Sequence, residues 1–287
     1  LRPAQPILRQ HLAKDDWWFS IWQPAAADGA EELITPDWLL EPEADWHGFR
    51  DVACDYVLLD PIKVTLVTPG LTAGGKLGER GIPAAVVSRF LWERGLVVEK
   101  TGLYSILVLF SMGITKGKWS TLLTELLEFK RHYDNNVPLC DALPTVVHAG
   151  GSLYAGMGLR DLCDALHDCY RENATAKAMR RMYTALPELA MKPADAYDKL
   201  VRGEVEAVPI EALEGRIAAV MLVPYPPGIP LIMPGERFTV ETRSILDYLH
   251  FAQRFAMRFP GFDADVHGLQ REDHLGIRYT VDCIQEV

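Results

Sequence analysis

The stretch Pro83-Ala-Ala-Val-Val-Ser-Arg-Phe-Leu-Trp-Glu-Arg-Gly95 decides how the first half of the chain folds. Its apolar residues recur at intervals of three and four, the spacing of one helix face: Ala84, Val87, Phe90 and Leu91. Proline is favoured in the first turn of a helix, and glycine is favoured just beyond its end. The stretch therefore predicts a helix that begins at Pro83 and stops at Gly95.

Apolar, β-branched runs on both sides of this helix predict strands over residues 56–70, 96–99 and 104–110. The first run is interrupted by Asp60-Pro61, which predicts a bent or broken strand pair. A second helical pattern spans residues 118–134, and upstream a short helix over 7–14 and an aromatic strand over 17–22 are predicted. Strand, helix, strand, strand, helix is an order that predicts a small α/β domain.

The break Asn135-Asn-Val-Pro138 predicts a linker between two domains. We expect residues 1–136 to form the small α/β domain and residues 137–287 to form a C-terminal α+β domain of common size. In this second half, helical periodicity covers residues 159–172, 175–183, 192–201 and 242–258, and strand patterns cover residues 217–223 and 279–286.

The composition is that of a globular protein, with 49% hydrophobic and 24% charged residues among 287. A net charge of -10 leaves no surplus of Lys and Arg to neutralise a phosphate backbone, so we expect no nucleic acid partner. The apolar runs are shorter than the roughly 20 residues of a membrane helix, so we expect no membrane partner. Five scattered cysteines predict free thiols and a cytoplasmic protein. Because the chain begins without methionine, we expect it to be a piece of a longer polypeptide.

Two motifs that could bind a ligand, a phosphate loop and a metal-ligand set, are incomplete. Residues 70–76 have the glycine and lysine spacing that begins a phosphate loop, but Leu77 stands where a hydroxyl is needed, so a flexible turn is predicted instead. Cys163, His167 and Cys169 do not share one helix face and have no second ligand pair at zinc spacing. We therefore predict buried thiols and no metal site.

Glu99 ends an apolar run and is followed by Lys100-Thr-Gly102. A carboxylate at the end of a strand is well placed to contact a ligand in an α/β domain. From the residues alone, two interpretations remain open: a surface acid paired with Lys100, or a carboxylate that receives a cationic substrate.

Motifs along the whole chain, in the same order, resemble the bacterial ornithine/lysine/arginine decarboxylases that use pyridoxal phosphate. They include Leu59-Asp-Pro-Ile-Lys-Val-Thr-Leu-Val-Thr-Pro-Gly70, Val97-Val-Glu-Lys-Thr-Gly102, Pro224-Tyr-Pro-Pro-Gly-Ile-Pro230 and Phe259-Pro-Gly-Phe262. The resemblance implies the small domain of a fold-type I pyridoxal-phosphate enzyme followed by the family's C-terminal α+β domain.

The same resemblance assigns roles to residues. Glu99 matches the family's glutamate that recognises the distal cationic group of the substrate. The family's cofactor lysine follows a histidine, and no His-Lys dipeptide occurs in this chain. The resemblance therefore implies that pyridoxal phosphate binds to a missing upstream domain, that this segment has no cofactor-binding residue, and that it is inactive alone.

The implied activity is decarboxylation of a basic amino acid. The preferred interpretation is lysine, which gives cadaverine. The resemblance also implies a role in polyamine metabolism and acid stress. Asp60-Pro-Ile-Lys63 and Asp265-Val-His-Gly268 look like lysine enzymes, whereas Gly117-Lys-Trp119 and Lys130-Arg-His-Tyr-Asp134 look like arginine enzymes. The alternatives are arginine decarboxylation to agmatine, ornithine decarboxylation, and a non-catalytic binding or assembly module.

The resemblance also implies a homodimer that assembles further into rings. Certain lysine members bind a guanosine alarmone through arginines at the positions of Pro138 and Gly158, so this sequence departs from that pattern.

Overall fold

A computed structural model of the chain describes residues 19–23, 38–44, 46–53, 56–60, 62–72, 74–273 and 276–285. These residues divide into two compact units: the first holds those up to 145 together with 156–168, and the second holds 146–155 and those from 169 onward. The helix predicted over 7–14 and the first two residues of the predicted aromatic strand lie outside the described residues. The domain boundary after residue 136 stays a prediction.

The first unit is built on a four-stranded antiparallel sheet in the order β1-β2-β4-β3. Its strands are β1 (Ser20–Trp22), β2 (Lys63–Val67), β3 (Lys100–Thr101) and β4 (Ser105–Leu109). Alternate residues such as Val64, Leu66 and Ile106 are buried, because successive side chains of a strand point to opposite faces. The predicted strands over 56–70 and 104–110 are confirmed in their central residues.

Helices of the first half follow the predicted pattern. They are α1 (Ala84–Trp92), α2 (Lys116–Asp134), α3 (Leu139–Ala142), α4 (Pro144–Gly150) and α5 (Leu159–Glu172). Helix α1 buries Val87, Phe90 and Leu91, and it ends before Gly95, whose φ of 77° is the left-handed conformation that glycine supplies at helix ends. The predicted helices over 83–95, 118–134 and 159–172 are confirmed.

The strand predicted over residues 96–99 is wrong. The N–H of Leu96 donates to the carbonyl of Leu91 at 2.9 Å, so the chain is still closing the turn at the end of α1. Pairing with β4 starts only where the N–H of Glu99 donates to the carbonyl of Leu107, and the strand itself is Lys100–Thr101. An apolar run alone does not show whether its residues pair in a sheet or follow the end of a helix.

The second unit contains the helices α6 (Thr175–Met182), α7 (Pro193–Val201) and α8 (Arg243–Arg258) and the strands β5 (Glu188–Leu189), β6 (Val205–Pro209), β7 (Val223–Pro224), β8 (Glu236–Arg237), β9 (Val266–His267), β10 (Leu269–Glu272) and β11 (Arg278–Ile284). Strands β10, β11 and β6 form an antiparallel sheet in that order. Phe238, Ile245, Leu249 and Val281 belong to one buried apolar cluster. The three helices are confirmed, and the strand predicted over 279–286 is confirmed for residues 279–284.

The strand predicted over residues 217–223 is largely absent, and β5, β6, β8, β9 and β10 have no counterpart in the sequence prediction. Residues 217–222 form isolated bridges only, and the paired strand is Val223–Pro224. Pro224 limits the pairing, because proline has no N–H to donate to a ladder. Strand β6 was not predicted. It lies at the edge of its sheet, and its sequence Val-Glu-Ala-Val-Pro buries only Val208, so it has no apolar period to detect. None of the described helices is long and apolar enough to cross a membrane.

Helix α2 contains a buried histidine with a lowered pKa. The side chain of His132 is largely buried, and its ring meets Phe90 edge-on with centroids 5.4 Å apart. Its Nδ1 has no hydrogen-bond partner among the described residues. Burial lowers the pKa of His132, Arg131 and Arg94 lower it further, and Glu128 and Asp141 oppose the shift.

We expect the protein to lose stability as the pH falls below about 6.5, the ordinary histidine pKa. Since the folded-state pKa is the lower one, the unfolded chain takes up the proton first, and the stabilisation disappears as the pH falls through the folded-state pKa. Urea unfolding at pH 8 and pH 5 should show a smaller pH dependence for His132→Gln than for the wild type. The exposed His267 provides the control, and equal pH dependence in His132→Gln, His267→Gln and the wild type contradicts the prediction.

Candidate functional site

Glu99 lies at the edge of the first unit's sheet, immediately before β3. Its backbone N–H donates to the carbonyl of Leu107 at 2.9 Å, and its side chain is exposed. Within the described part of the chain, its carboxylate forms no ion pair or hydrogen bond, with Lys100 or with another residue. The carboxylate is therefore free to receive a cationic group from outside.

The backbone around Glu99 is held at three points. The N–H of Glu99 binds Leu107, and the N–H of Gly102 donates to the carbonyl of Ser105 at 2.8 Å, closing the hairpin to β4. A Cβ at Gly102 would lie 2.6 Å from Ser105 Oγ, so a larger residue there would force the Ser105 hydroxyl to turn away. On the other side, Thr101 Oγ1 donates to Ser88 Oγ of α1 at 2.8 Å.

The glycine-rich segment over residues 70–78 is a small hairpin. Leu71 bridges Leu77, the N–H of Gly75 donates to the carbonyl of Thr72, and the N–H of Gly78 donates to the carbonyl of Gly70. A phosphate loop needs free amides that point at a ligand, whereas these amides bind within the hairpin. The structure agrees with the predicted turn.

A buried pair, Tyr104 and His167, holds this hairpin in place. Tyr104 Oη donates to His167 Nδ1 at 2.5 Å, and His167 Nε2 then donates to the carbonyl of Gly78 at 3.0 Å. Sequence reasoning missed this contact, because the two side chains are 63 residues apart and no local pattern joins them. The glycines at 70, 78 and 81 are the one signal in the sequence that could have suggested a close approach of the backbone to another element.

Among the described residues, no group of three or more His, Cys, Asp or Glu side chains could hold a metal ion. Both ring nitrogens of His167 are occupied by Tyr104 and Gly78. Cys163 and Cys169 are buried free thiols, and burial raises the pKa of each. A protonated buried thiol is a poor metal ligand.

Pro138 and Gly158, where the resemblance places the alarmone-binding arginines of certain lysine members, are bridged to each other. A Cβ at Gly158 would lie 2.5 Å from Asn136 Cγ. The amide of Asn136 is in turn fixed, since it donates to Asp161 at 2.9 Å and accepts from the N–H of Arg160 at 3.0 Å. An arginine at position 158 would displace Asn136 from these bonds.

Comparison with known families decides the classification. Residues 4–118 match the family model described as the Orn/Lys/Arg decarboxylase major domain, and residues 176–285 match the one described as the Orn/Lys/Arg decarboxylase C-terminal domain. The chain belongs to the Orn/Lys/Arg decarboxylase family. The resemblance inferred from the motifs is thus confirmed.

Lysine decarboxylases are among the most similar relatives. The chain is 73% identical over 286 residues to lysine decarboxylase LdcA of Pseudomonas aeruginosa and 44% identical over 267 residues to the constitutive lysine decarboxylase of Escherichia coli. These matches cover 99% and 93% of this chain but 38% and 37% of the relatives. The solved structure of lysine decarboxylase A from Pseudomonas aeruginosa matches 99% of the chain with a TM-score of 0.89, at 73% identity, over 38% of its own length. The chain therefore spans less than two fifths of the relatives it matches.

Proposed function

We propose that this chain is the C-terminal part of a lysine decarboxylase, which converts lysine to cadaverine and carbon dioxide. The observation that carries the proposal is the 73% identity to lysine decarboxylase LdcA, maintained over 99% of the chain. Fold alone would not assign a substrate, whereas 73% identity over nearly the whole chain favours a shared one.

In this proposal Glu99 receives the ammonium group at the distal end of the substrate side chain. A carboxylate accepts short, charge-assisted hydrogen bonds from an ammonium, and this carboxylate forms no bond to another described residue. An ion pair in open water contributes little. We therefore infer that other parts of the parent enzyme exclude water around Glu99 when the substrate binds.

Two observations argue against a pyridoxal phosphate site among the described residues. Lys63 is half exposed on β2 and pairs with Asp60 at 3.3 Å, and the sequence lacks the His-Lys dipeptide of the family's cofactor lysine. Pyridoxal phosphate supplies the electron sink for decarboxylation. We propose that this cofactor is bound by the part of the parent polypeptide that precedes the chain, and that the chain alone is inactive.

We further propose that the parent is a cytoplasmic homodimer that assembles into rings. The second unit exposes large apolar side chains around one hairpin, namely Met221, Tyr225, Ile229 and Met233. Several large apolar side chains exposed on one segment are consistent with a subunit interface.

The test is release of carbon dioxide from lysine, arginine and ornithine by the parent enzyme with pyridoxal phosphate. We expect kcat/KM for lysine to exceed that for each of the others by about 100-fold, the discrimination a pocket achieves against a substrate of the wrong length. The 287-residue chain alone should release none. Faster turnover of arginine or ornithine would reassign the substrate, and no turnover of any of the three by the cofactor-loaded protein would favour an assembly module.

A further inference from the structure

The segment that carries Glu99 is weakly held by the sheet itself. Strand β3 contains two residues, pairs with β4 alone and lies at the edge of the sheet. The residues before Glu99, 96–98, belong to no strand. The position of the Glu99 backbone therefore depends on contacts outside the ladder.

One such contact joins β3 to helix α1. Thr101 Oγ1 and Ser88 Oγ are 2.8 Å apart, and both side chains are partly buried. Ser88 stands in the middle of α1, where alanine is the better helix former, so the serine is not explained by helix propensity. Its hydroxyl oxygen accepts the hydrogen bond from Thr101 Oγ1.

We propose that Ser88 and Thr101 are positioning residues for Glu99, which set the place of its carboxylate relative to the distal ammonium of lysine. This inference rests on the proposed function of Glu99. One residue, Lys100, separates Thr101 from Glu99, so a shift of β3 away from α1 carries the carboxylate with it. Without the hydroxyl pair, β3 pivots about the bonds to Leu107 and Ser105, and displacement of a recognising group by about 1 Å is enough to weaken binding.

The experiment measures lysine decarboxylation by the parent enzyme carrying Ser88→Ala or Thr101→Val. We expect KM for lysine to rise about fivefold, the effect of one lost hydrogen bond, while kcat stays within about twofold of the wild type. The conservative variants Ser88→Thr and Thr101→Ser keep a hydroxyl and should restore KM. Thr124→Val removes a hydroxyl that donates to the carbonyl of Ser120 within α2, and it should change neither constant.

Combination with Glu99→Gln separates positioning from structural support. If the hydroxyls act through Glu99, then Ser88→Ala should cause no further rise of KM in the Glu99→Gln enzyme. Additive effects on KM, or a loss of kcat alone in Ser88→Ala and Thr101→Val, overturn the proposal.

The Glu99→Gln enzyme distinguishes the proposed role of Glu99 from the positioning role of Ser88 and Thr101. If Glu99→Gln leaves KM for lysine unchanged, the proposed role of Glu99 is wrong and the positioning role falls with it. If Glu99→Gln raises KM but neither hydroxyl variant does, the role of Glu99 stands and only the positioning role is wrong.

Discussion

Glu99→Gln in the parent enzyme is expected to reduce kcat/KM for lysine by about 10- to 100-fold. The amide keeps the size of the side chain and one acceptor oxygen but removes the negative charge. A hydrogen bond between charged partners contributes about 1.5 to 3 kcal/mol, and each 1.4 kcal/mol corresponds to a factor of ten. Because the distal ammonium takes no part in bond breaking, most of the loss should appear as a higher KM.

The measurement is the rate of carbon dioxide release over a range of lysine concentrations. Norleucine, in which a methyl group replaces the ammonium-bearing end of the lysine side chain, provides the matched substrate, and the variant should lose most of the preference for lysine over norleucine. Glu214→Gln changes an exposed acid of the second unit and should leave that preference intact. An unchanged preference in Glu99→Gln contradicts the proposed role.

Gly81→Ala is expected to lower the free energy of unfolding by about 3 kcal/mol, the upper end of the usual cost of overpacking a core. The new Cβ would overlap the imidazole of His167, with Cε1 only 2.7 Å away, and would lie 2.8 Å from Gly70 Cα. The imidazole cannot move aside without breaking its bonds to Tyr104 and to Gly78. Since Gly81 has no positive φ, the whole effect is steric.

Urea unfolding monitored by circular dichroism measures this effect. Gly113→Ala is the matched control, because a Cβ there has no heavy atom within 4 Å, and its stability should stay close to that of the wild type. In a His167→Ala background, which removes the imidazole but leaves Gly70 Cα 2.8 Å from the new Cβ, Gly81→Ala should lose only part of its effect. A Gly81→Ala protein as stable as the wild type would show that the loop moves freely and that the buried pair does not fix it.

Elements with a strong local pattern were predictable, and elements defined by pairing were not. Helix α5 occupies the predicted residues 159–172, since its apolar period lies within its own sequence. The strand predicted over 96–99 failed because Leu96 still bonds back to the end of α1 and residues 97 and 98 belong to no strand. Strand β6 went undetected because its partner, β11, lies some 70 residues further along the chain. Pairing between two segments that are far apart in the chain leaves no periodic pattern in the sequence of either segment.

By itself the sequence determined the family, most of the helices and the candidate residue Glu99, because these depend on motifs and periods that are local in the chain. Tertiary structure alone decided that Glu99 stands exposed on a two-residue edge strand, that Thr101 meets Ser88, and that Tyr104 and His167 lock the glycine hairpin. The physical reason is that each of these contacts depends on the distance between atoms of separate elements, which is fixed only when the sheet and helices pack together.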